Sequence, residues 1–290
     1  MINTLILTEK KGWHFQQLKN SLEKNKHNVT SACLTDISLS IENNKSNIII
    51  NNNLLDEMDN VIVRFVPGGT LEEIVFYLNI LKIFQSMNIK VINSATAIEN
   101  TVDKLYTSHI LNRNGIPTPK TYILRGYDKA KKFLERNIPS KGIIYKPLFG
   151  SQGDNIKLIK NINDLDGSNN VSNIFYFQEF LNNEINHDYR VLILRNKKSL
   201  KYFHMTRYGE TFVNNISKGG SCKKEIIDPS IINLAIESSK LLAIDFCGVD
   251  IIKYKNKFYV IELNSIPAWK GLQNVENEHI SEYFVNLLIK

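Results

Sequence analysis

The chain reads as an α/β protein, with an open parallel sheet at its N-terminus and strand-rich lobes behind it. Three observations predict this. Strand-like and helix-like segments alternate through the first hundred residues. The apolar run Val61-Ile-Val-Arg-Phe is followed by a capped amphipathic helix and then by Lys90-Val-Ile-Asn, the strand–helix–strand unit of a parallel sheet. Near the C-terminus, Cys247–Tyr254 and Lys257–Asn264 are rich in β-branched and aromatic residues and flank a short polar turn, which reads as a hairpin.

The elements follow in order. Thr4–Thr8 is a strand and Phe15–Asn25 a helix, with short strands near Val29–Leu34 and Ile48–Ile50. Thr70-Leu-Glu-Glu73 is a capping box, whose Thr and Glu satisfy each other's free backbone N–H groups. It opens a helix with an apolar stripe at Ile74, Tyr77, Leu78, Leu81 and Phe84. Pro67-Gly-Gly69 turns at the C-terminal end of its strand, where open α/β sheets place ligands. A second unit begins near Asn100. Its helix, Thr101–Asn114, is stopped by Gly115, and Ile116-Pro-Thr-Pro119 forces an extended connection. Strand Thr121–Leu124, helix Asp128–Asn137 and strand Gly142–Lys146 come next. Asn161–Ser172 is a polar loop, and from Tyr176 the chain is strand-rich, interrupted by a helix from Pro229 to Ala243.

Composition narrows the function classes. Hydrophobic residues make up 43% of the 290, ample for packed cores, and a chain of this length divides into two or three subdomains. No apolar run reaches the roughly 18 residues of a membrane span, and the N-terminus lacks the pattern of a signal peptide. Cys33, Cys222 and Cys247 are far apart and in no metal-ligand spacing, so free thiols and a cytoplasmic protein are expected. The net charge of +7 invites a nucleic-acid reading, but the lysines are scattered and no nucleic-acid-binding signature accompanies them.

The hairpin carries the chemistry. If Lys255-Asn256-Lys257 is a three-residue loop, Tyr254 faces Phe258 and Asp250 lies opposite Glu262. Asn264, two residues on, shares that face. Like charges opposite each other destabilise a strand pair, and a buried carboxylate needs a cation or several donors. A Mg²⁺ ion would answer both needs. A solvated strand face is the plain alternative; the flanking apolar runs argue against it. Upstream, Gly142-Ile-Ile-Tyr-Lys146-Pro-Leu-Phe-Gly-Ser-Gln-Gly153 sets a lysine at a strand end before a glycine turn, where phosphate oxygens can be met. It is neither a P-loop nor a dinucleotide fingerprint. Ser151 has no neighbouring base in sequence and is not read as a nucleophile. No histidine is given a catalytic part.

The order of these segments resembles the ATP-grasp superfamily and, within it, the RimK-like amino-acid ligases. Asp103-Lys104, Lys146-Pro with its glycine loop, Tyr176-Phe-Gln178-Glu-Phe-Leu181, Asp188-Tyr-Arg190, Asn214–Gly220, Gly248-Val-Asp250 and Glu262-Leu-Asn264 occur in the family's order over residues 60–290. Val63-Arg-Phe-Val-Pro-Gly-Gly, Lys146-Pro-Leu-Phe-Gly-Ser-Gln-Gly and Asn264-Ser-Ile-Pro-Ala-Trp269-Lys-Gly-Leu-Gln273 look closest to the branch associated with tetrahydromethanopterin or methanofuran synthesis. The resemblance implies a pre-ATP-grasp domain at 1–99, a central ATP-grasp lobe at 100–178 and a C-terminal lobe with the metal site at 179–290.

It also implies roles. Lys104 and Lys146 would neutralise ATP phosphates, beneath a loop that includes Gly150, Ser151 and Gly153. Gln178, Glu179 and Phe180 would form the strap at the adenine, and Asp188 would face the nucleoside. Arg207 and Asn215 would be catalytic, approaching the γ-phosphate and an acyl phosphate. Asp250, Glu262 and Asn264 would hold Mg²⁺, or Mn²⁺ in its place. The implied activity is an ATP-dependent carboxylate–amine ligase that adds L-glutamate to a small-molecule acid such as a C1-carrier precursor, in a dimer or tetramer. A ligase for another amine and a nucleotide-binding partner without catalysis stay open. Asp188 and Arg190 read equally well as an ordinary cross-strand ion pair, and Trp269 as hairpin packing or as acceptor-pocket lining. Asp154-Asn155 and Ser265-Ile-Pro-Ala depart from the family pattern, which leaves the acceptor side the less defined.

Overall fold

The computed structural model describes residues 1–55, 57–149, 155–165, 172–181, 186–209 and 220–289. Strands β1 (Ile2–Leu7), β2 (His27–Ala32), β6 (Asn60–Val63) and β7 (Lys90–Ile92) form an N-terminal parallel sheet in the order β2-β1-β6-β7. Leu5, Ile6, Leu7, Val61, Ile62 and Val63 are all buried, because helices or a second sheet cover both faces. That is why the strands read as continuous apolar runs without alternation. Helix α1 (Trp13–Lys24) follows β1, and α2 (Leu71–Ser86) connects β6 to β7. The Thr70–Glu73 capping box forms as the sequence predicts, with the Thr70 N–H donating to Glu73 Oε2 at 2.7 Å. Tyr77, Ile80, Leu81 and Phe84 are the buried side of α2, while Ile74 and Leu78 of the expected stripe are half-buried.

Strands β3 (Ile37–Glu42), β4 (Lys45–Ile50) and β5 (Asn53–Leu54) form a separate antiparallel sheet, of which the sequence reading found only part of β4. The signal was present in Ile37, Leu39 and Ile41, and in Asn43-Asn44, both left-handed, at the turn.

Helix α3 (Ala95–Val102) and α4 (Lys104–Arg113) replace the single helix expected over Thr101–Asn114. The break is at Asp103, whose carboxylate accepts from the N–H groups of Leu105 and Tyr106 at 2.9 and 3.0 Å. An N-cap inside a helical pattern restarts the helix, so Lys104 becomes the first residue of a new one. Then come β8 (Thr121–Arg125), α5 (Tyr127–Asn137), β9 (Ile143–Lys146), β10 (Lys157–Ile159) and β11 (Ile174–Glu179). Their sheet is antiparallel, ordered β10-β9-β11-β8, with α5 packed on it through Ala130 and Leu134. Gly142 opens β9 at φ +87°, and a Cβ there would meet the Ile159 carbonyl at 2.9 Å. The strand that carries Lys146 therefore starts on a turn suited to glycine.

The last sheet has the order β14-β13-β12-β15-β16, built from β12 (His187–Arg195), β13 (Leu200–Tyr208), β14 (Ser221–Lys223), β15 (Phe246–Tyr254) and β16 (Lys257–Asn264). Helix α6 (Pro229–Leu241) covers one face, burying Val191, Ile193, Cys247, Val249 and Leu263. On the other face Leu192, Leu194, Phe203, Met205 and Phe246 share a core with Ile6, Leu18, Ile62 and Ile92 of the N-terminal sheet and α1. Short helices α7 (Lys270–Gln273) and α8 (Ile280–Phe284) complete that core.

Asn93, just after β7, joins the two sheets. Its side-chain amide donates to Phe246 O (2.7 Å) and Ser265 O (2.5 Å), and its oxygen accepts from the N–H groups of Asp245 and Phe246, both at 3.0 Å. An amide so buried and so fully used supports four backbone groups at once. Asn93→Ala should therefore lower unfolding stability by about 2–4 kcal/mol, since several buried backbone groups lose their partners together. Urea denaturation of the two proteins measures this directly; a loss well under 1 kcal/mol would mean the amide is dispensable.

Candidate active site

The hairpin places Asp250 opposite Glu262 and Gly248 opposite Asn264. The route differs from the one expected. The turn has two residues, Lys255 and Asn256, both left-handed (φ 47° and 61°), so Tyr254 faces Lys257 and not Phe258. Regular pairing from that turn would put Ile261 opposite Asp250 and send Glu262 to the α6 face. A bulge between the Ile251–Val260 and Asp250–Glu262 pairs absorbs Ile261 and returns Glu262 to the Asp250 face. A one-residue slip exchanges the faces of a strand, and a bulge is how a strand re-aims one side chain without losing its partner. The shorter turn and the bulge offset each other, so the expected pairing is found for a different reason.

Two arginines answer the like-charge problem. Arg190, opposite Asp250 on β12, donates to both Asp250 oxygens, through Nε to Oδ1 and through Nη2 to Oδ2 at 2.9 Å. Arg207 on β13 reaches Asp250 Oδ2 at 3.1 Å and grips Asp188 with Nε and Nη2 at 2.6 and 2.9 Å. The pairing is thus Arg190 with Asp250 and Arg207 with Asp188, not Asp188 with Arg190 as an isolated ion pair. Burial works to raise the Asp250 carboxyl, but Arg190 and Arg207 outweigh it and hold the group at about 2. Burial likewise opposes the charge on Arg207, and Asp250 and Asp188 overcome it, raising that pKa. The Asp188 carboxyl is pushed up by its burial, against the pull of Arg207.

This row decides what is available for a ligand. Arg207 is 4% exposed and Asp188 7%, each occupied with the other. Arg207 and Asp188, expected at the γ-phosphate and the nucleoside, are thus engaged with each other and with Asp250 on one face of the sheet. Asp250 Oδ2 accepts twice and Oδ1 once, which leaves capacity for one further partner. Asn264 Oδ1 accepts from the Ile266 N–H at 2.9 Å and also keeps one lone pair. The Glu262 carboxylate is half-buried and accepts no hydrogen bond from the described residues. Three oxygen donors with spare capacity, led by an unengaged carboxylate, fit a hard cation such as Mg²⁺.

The small sheet supplies positive charge. Lys146, at the end of β9, is buried and donates to Gln178 Oε1 at 2.7 Å. Gln178 in turn donates to the Thr121 and Tyr176 hydroxyls, both at 3.2 Å. Burial lowers the Lys146 pKa to about 8, and Lys104 adds to that lowering while Glu262 and Asp250 oppose it. Lys104 is also lowered by burial, again opposed by Glu262, and its ammonium donates to Leu148 O at 3.2 Å. Both lysines thus feel the Glu262 carboxylate. Glu179 and Phe180 are half-buried at the end of β11, and the Glu179 N–H donates to Lys120 O at 2.8 Å, so that group is not open to a nucleotide. Gly150, Ser151, Gly153 and Asn215 lie outside the described residues. Trp269 is buried against Phe246 of the hairpin, ring centroids 5.5 Å apart. The sequence reading missed the function of Arg190 as a partner for Asp250. Its only signal was position, since residues on neighbouring strands meet through a register that sequence spacing does not show.

A parallel N-terminal sheet, a small sheet bearing lysines and a larger sheet with an oxygen-donor hairpin together define the ATP-grasp class. Residues 2–98 match the RimK PreATP-grasp domain and residues 101–287 the RimK-like ATP-grasp domain, and the chain belongs to the RimK-like ATP-grasp family of ligases. It is 28% identical over 245 residues to the tetrahydromethanopterin:alpha-L-glutamate ligase of Methanocaldococcus jannaschii, covering 81% of each chain. It is 26% identical over 289 residues to the enzyme of that name from Methanococcus maripaludis, covering 97% of this chain and 96% of the other. To the coenzyme gamma-F420-2:alpha-L-glutamate ligase of the same organism it is 26% identical over 235 residues, covering 79% of this chain and 81% of the other. The structure of the ATP-grasp ligase PsnB with its minimal precursor superposes with a TM-score of 0.72 at 16% identity, over 99% of this chain and 97% of that one. The macrocyclase MdnC of Microcystis aeruginosa gives 0.72 at 14% identity over 100% of both chains. These two likenesses are of fold.

The low pKa of Lys146 has a measurable consequence. The ammonium is charged below about pH 8 and neutral above it. Affinity for ADP with Mg²⁺ should fall as pH rises through that value, by up to about tenfold per unit if the charge is required. Lys146→Arg stays protonated throughout, so its affinity should be flat between pH 7 and pH 9. Calorimetric titrations across that range decide the point; parallel pH profiles for both proteins would remove Lys146 from the phosphate site.

Proposed function

We propose that the protein is an ATP-dependent α-L-glutamate ligase that joins the amino group of L-glutamate to a carboxylate on a C1-carrier precursor. The observation that carries this reading is that half-buried Lys104 and buried Lys146 both feel the Glu262 carboxylate, which accepts no hydrogen bond from the described residues. Two ammonium groups facing a carboxylate that accepts no hydrogen bond from the described residues are suited to polyphosphate with a divalent cation between them. The names of the methanogen relatives support glutamate as the amine and a pterin-type carrier as the acceptor. We assign the pre-ATP-grasp domain to 1–99, the central lobe to 100–178 and the C-terminal lobe to 179–290.

The reaction runs in two steps. A carboxylate oxygen of the acceptor attacks the γ-phosphorus of ATP, the bond to the β–γ bridging oxygen breaks, and ADP leaves with that electron pair. The glutamate amine then attacks the acyl carbon of the acyl phosphate, phosphate departs, and the amine gives up a proton as the amide forms. Lys104 and Lys146 neutralise phosphate oxygens, and Gln178 fixes the Lys146 ammonium through its 2.7 Å hydrogen bond. Arg207 and Arg190 keep Asp250 ionised and fixed. Glu262, Asn264 and the spare capacity of Asp250 would hold Mg²⁺. When bound, the ion supplies neutralisation of the γ-phosphate charge. No covalent enzyme intermediate is needed, as in phosphoryl transfer generally. Asn215, Gly150, Ser151 and Gly153 complete the nucleotide side in this proposal, with Asp188 acting through Arg207.

The protein is assigned to the cytoplasm as a homo-oligomer. Three cysteines without a disulfide agree with a reducing compartment, and no described helix is long and apolar enough to cross a membrane.

Glu262→Ala should abolish ADP release while leaving the circular-dichroism spectrum and melting behaviour close to wild type. Mg²⁺-dependent nucleotide binding should collapse in Glu262→Ala/Asn264→Ala. Turnover that survives either change would overturn the metal assignment. ADP release that requires a carboxylate acid but answers to another amino acid in place of L-glutamate would reassign the amine.

A further inference from the structure

The N-terminal sheet has its own candidate ligand position. In the order β2-β1-β6-β7, the chain turns to one side of β1 for β2 and to the other side for β6. The switch point lies between β1 and β6, and open α/β sheets bind ligands outside the strand ends at such a point. Arg64 stands there, directly after β6, its N–H continuing the ladder to Leu7 O at 2.8 Å.

The residue is half-buried, with part of the guanidinium fully covered. Nη2 donates to Pro267 O at 2.9 Å, and the guanidinium lies 4.8 Å from the centre of the Trp269 ring. Nε and Nη1 are buried and have no hydrogen-bond partner among the described residues. Among the described residues no carboxylate pairs with it. Burial alone lowers its pKa to about 9. The indole Nε1 of Trp269 is also buried without a partner. His14 offers no negative charge either. Its Nε2 accepts from the Trp269 N–H at 3.0 Å, and burial, followed by Arg64 and Lys270, lowers its pKa to about 4. The cluster therefore consists of cations and unpaired donors. A buried guanidinium without an anion is costly, in contrast to Arg190 and Arg207, each of which grips a carboxylate.

The cluster also adjoins the active site. A Cβ on Gly248 would lie 3.0 Å from Pro267 Cβ and 3.1 Å from Arg190 Nη1. Pro267, which holds Arg64, thus borders the arginine that holds Asp250.

We propose that Arg64, with the indole N–H of Trp269, docks a carboxylate of the substrate that does not itself react. The guanidinium fork suits a carboxylate bidentately, and in the ligase reading L-glutamate reacts through its amine and keeps its carboxylates. The inference rests on that reading and adds to it a second anion site on the N-terminal domain, separate from the phosphate lysines. A purely structural Arg64 would serve Pro267 and Trp269 alone, and the two roles respond differently to substitution.

The test uses the full chain saturated with Mg²⁺ and a non-hydrolysable ATP analogue, with L-glutamate and glutarate as probes. Calorimetry and melting curves are compared for wild type, Arg64→Met and Arg64→Lys. Wild type should bind at least one probe, and both variants should bind it about ten- to hundredfold more weakly, with nucleotide affinity unchanged. Without probe, Arg64→Met should melt no lower than wild type, because it removes an unpaired buried charge. Binding of L-glutamate alone assigns the site to the amine donor; binding of glutarate assigns it to the acid. Equal probe binding by wild type and both variants, or none by wild type, would overturn the proposal. Loss of nucleotide binding by wild type itself would instead overturn the ligase reading.

Discussion

The buried ionic row Arg190–Asp250–Arg207–Asp188 is the constraint on which the larger sheet depends. Four charges lie side by side on β12, β13 and β15, on the same face that farther along carries Leu192, Phe203 and Phe246 into the shared core. Each would be prohibitively expensive there alone. Arranged with alternating sign and bidentate hydrogen bonds, they satisfy one another. Removing one member would strand a charge, an effect of about 3–5 kcal/mol in comparable buried pairs. The row therefore ties three strands into one register, and that register lets Asp250 stand opposite Glu262 without repulsion deciding the pairing.

What the row uses up, it withholds from ligands. Asp188 and Arg207 are bonded to each other, and Asp250 keeps only part of its accepting capacity. Glu262, on the edge strand next to the row, is the carboxylate left open. The positive side is graded in the same way. Lys146 is held by Gln178, with a pKa lowered to about 8 by burial, and the half-buried Arg64 meets no carboxylate among the described residues. Sites that must neutralise a ligand's charge are expected to look incomplete before it arrives, because a pair already satisfied has nothing to offer.

The N-terminal domain is more than an attached module. Its sheet shares a core with the three central strands of the large sheet, β13, β12 and β15, and Asn93 stitches the two together. The segment after β16 runs back against it, through Ser265 to Asn93 and Pro267 to Arg64. Motion of one sheet against the other would break these contacts together, so the candidate anion site and the oxygen-rich hairpin form a continuous wall.

Much of this was legible in the chain itself. The parallel unit of β6, α2 and β7, the Thr70–Glu73 cap, Lys146 at a strand end and the oxygen-donor hairpin follow from local rules of periodicity and capping, which act over a few residues. The break at Asp103 was missed because an N-cap within a helical pattern looks like any other polar residue until its carboxylate is seen to face Leu105 and Tyr106. The pairing of Asp250 with Glu262 came from a turn length that proved one residue too long, corrected by a bulge at Ile261 that no local rule announces. Which arginine meets which aspartate, how deeply Lys146 is buried and whether Arg64 finds an anion were decided only by tertiary structure. These depend on strand register, burial and partners tens to hundreds of residues away, and sequence spacing holds no record of the distances on which electrostatics acts.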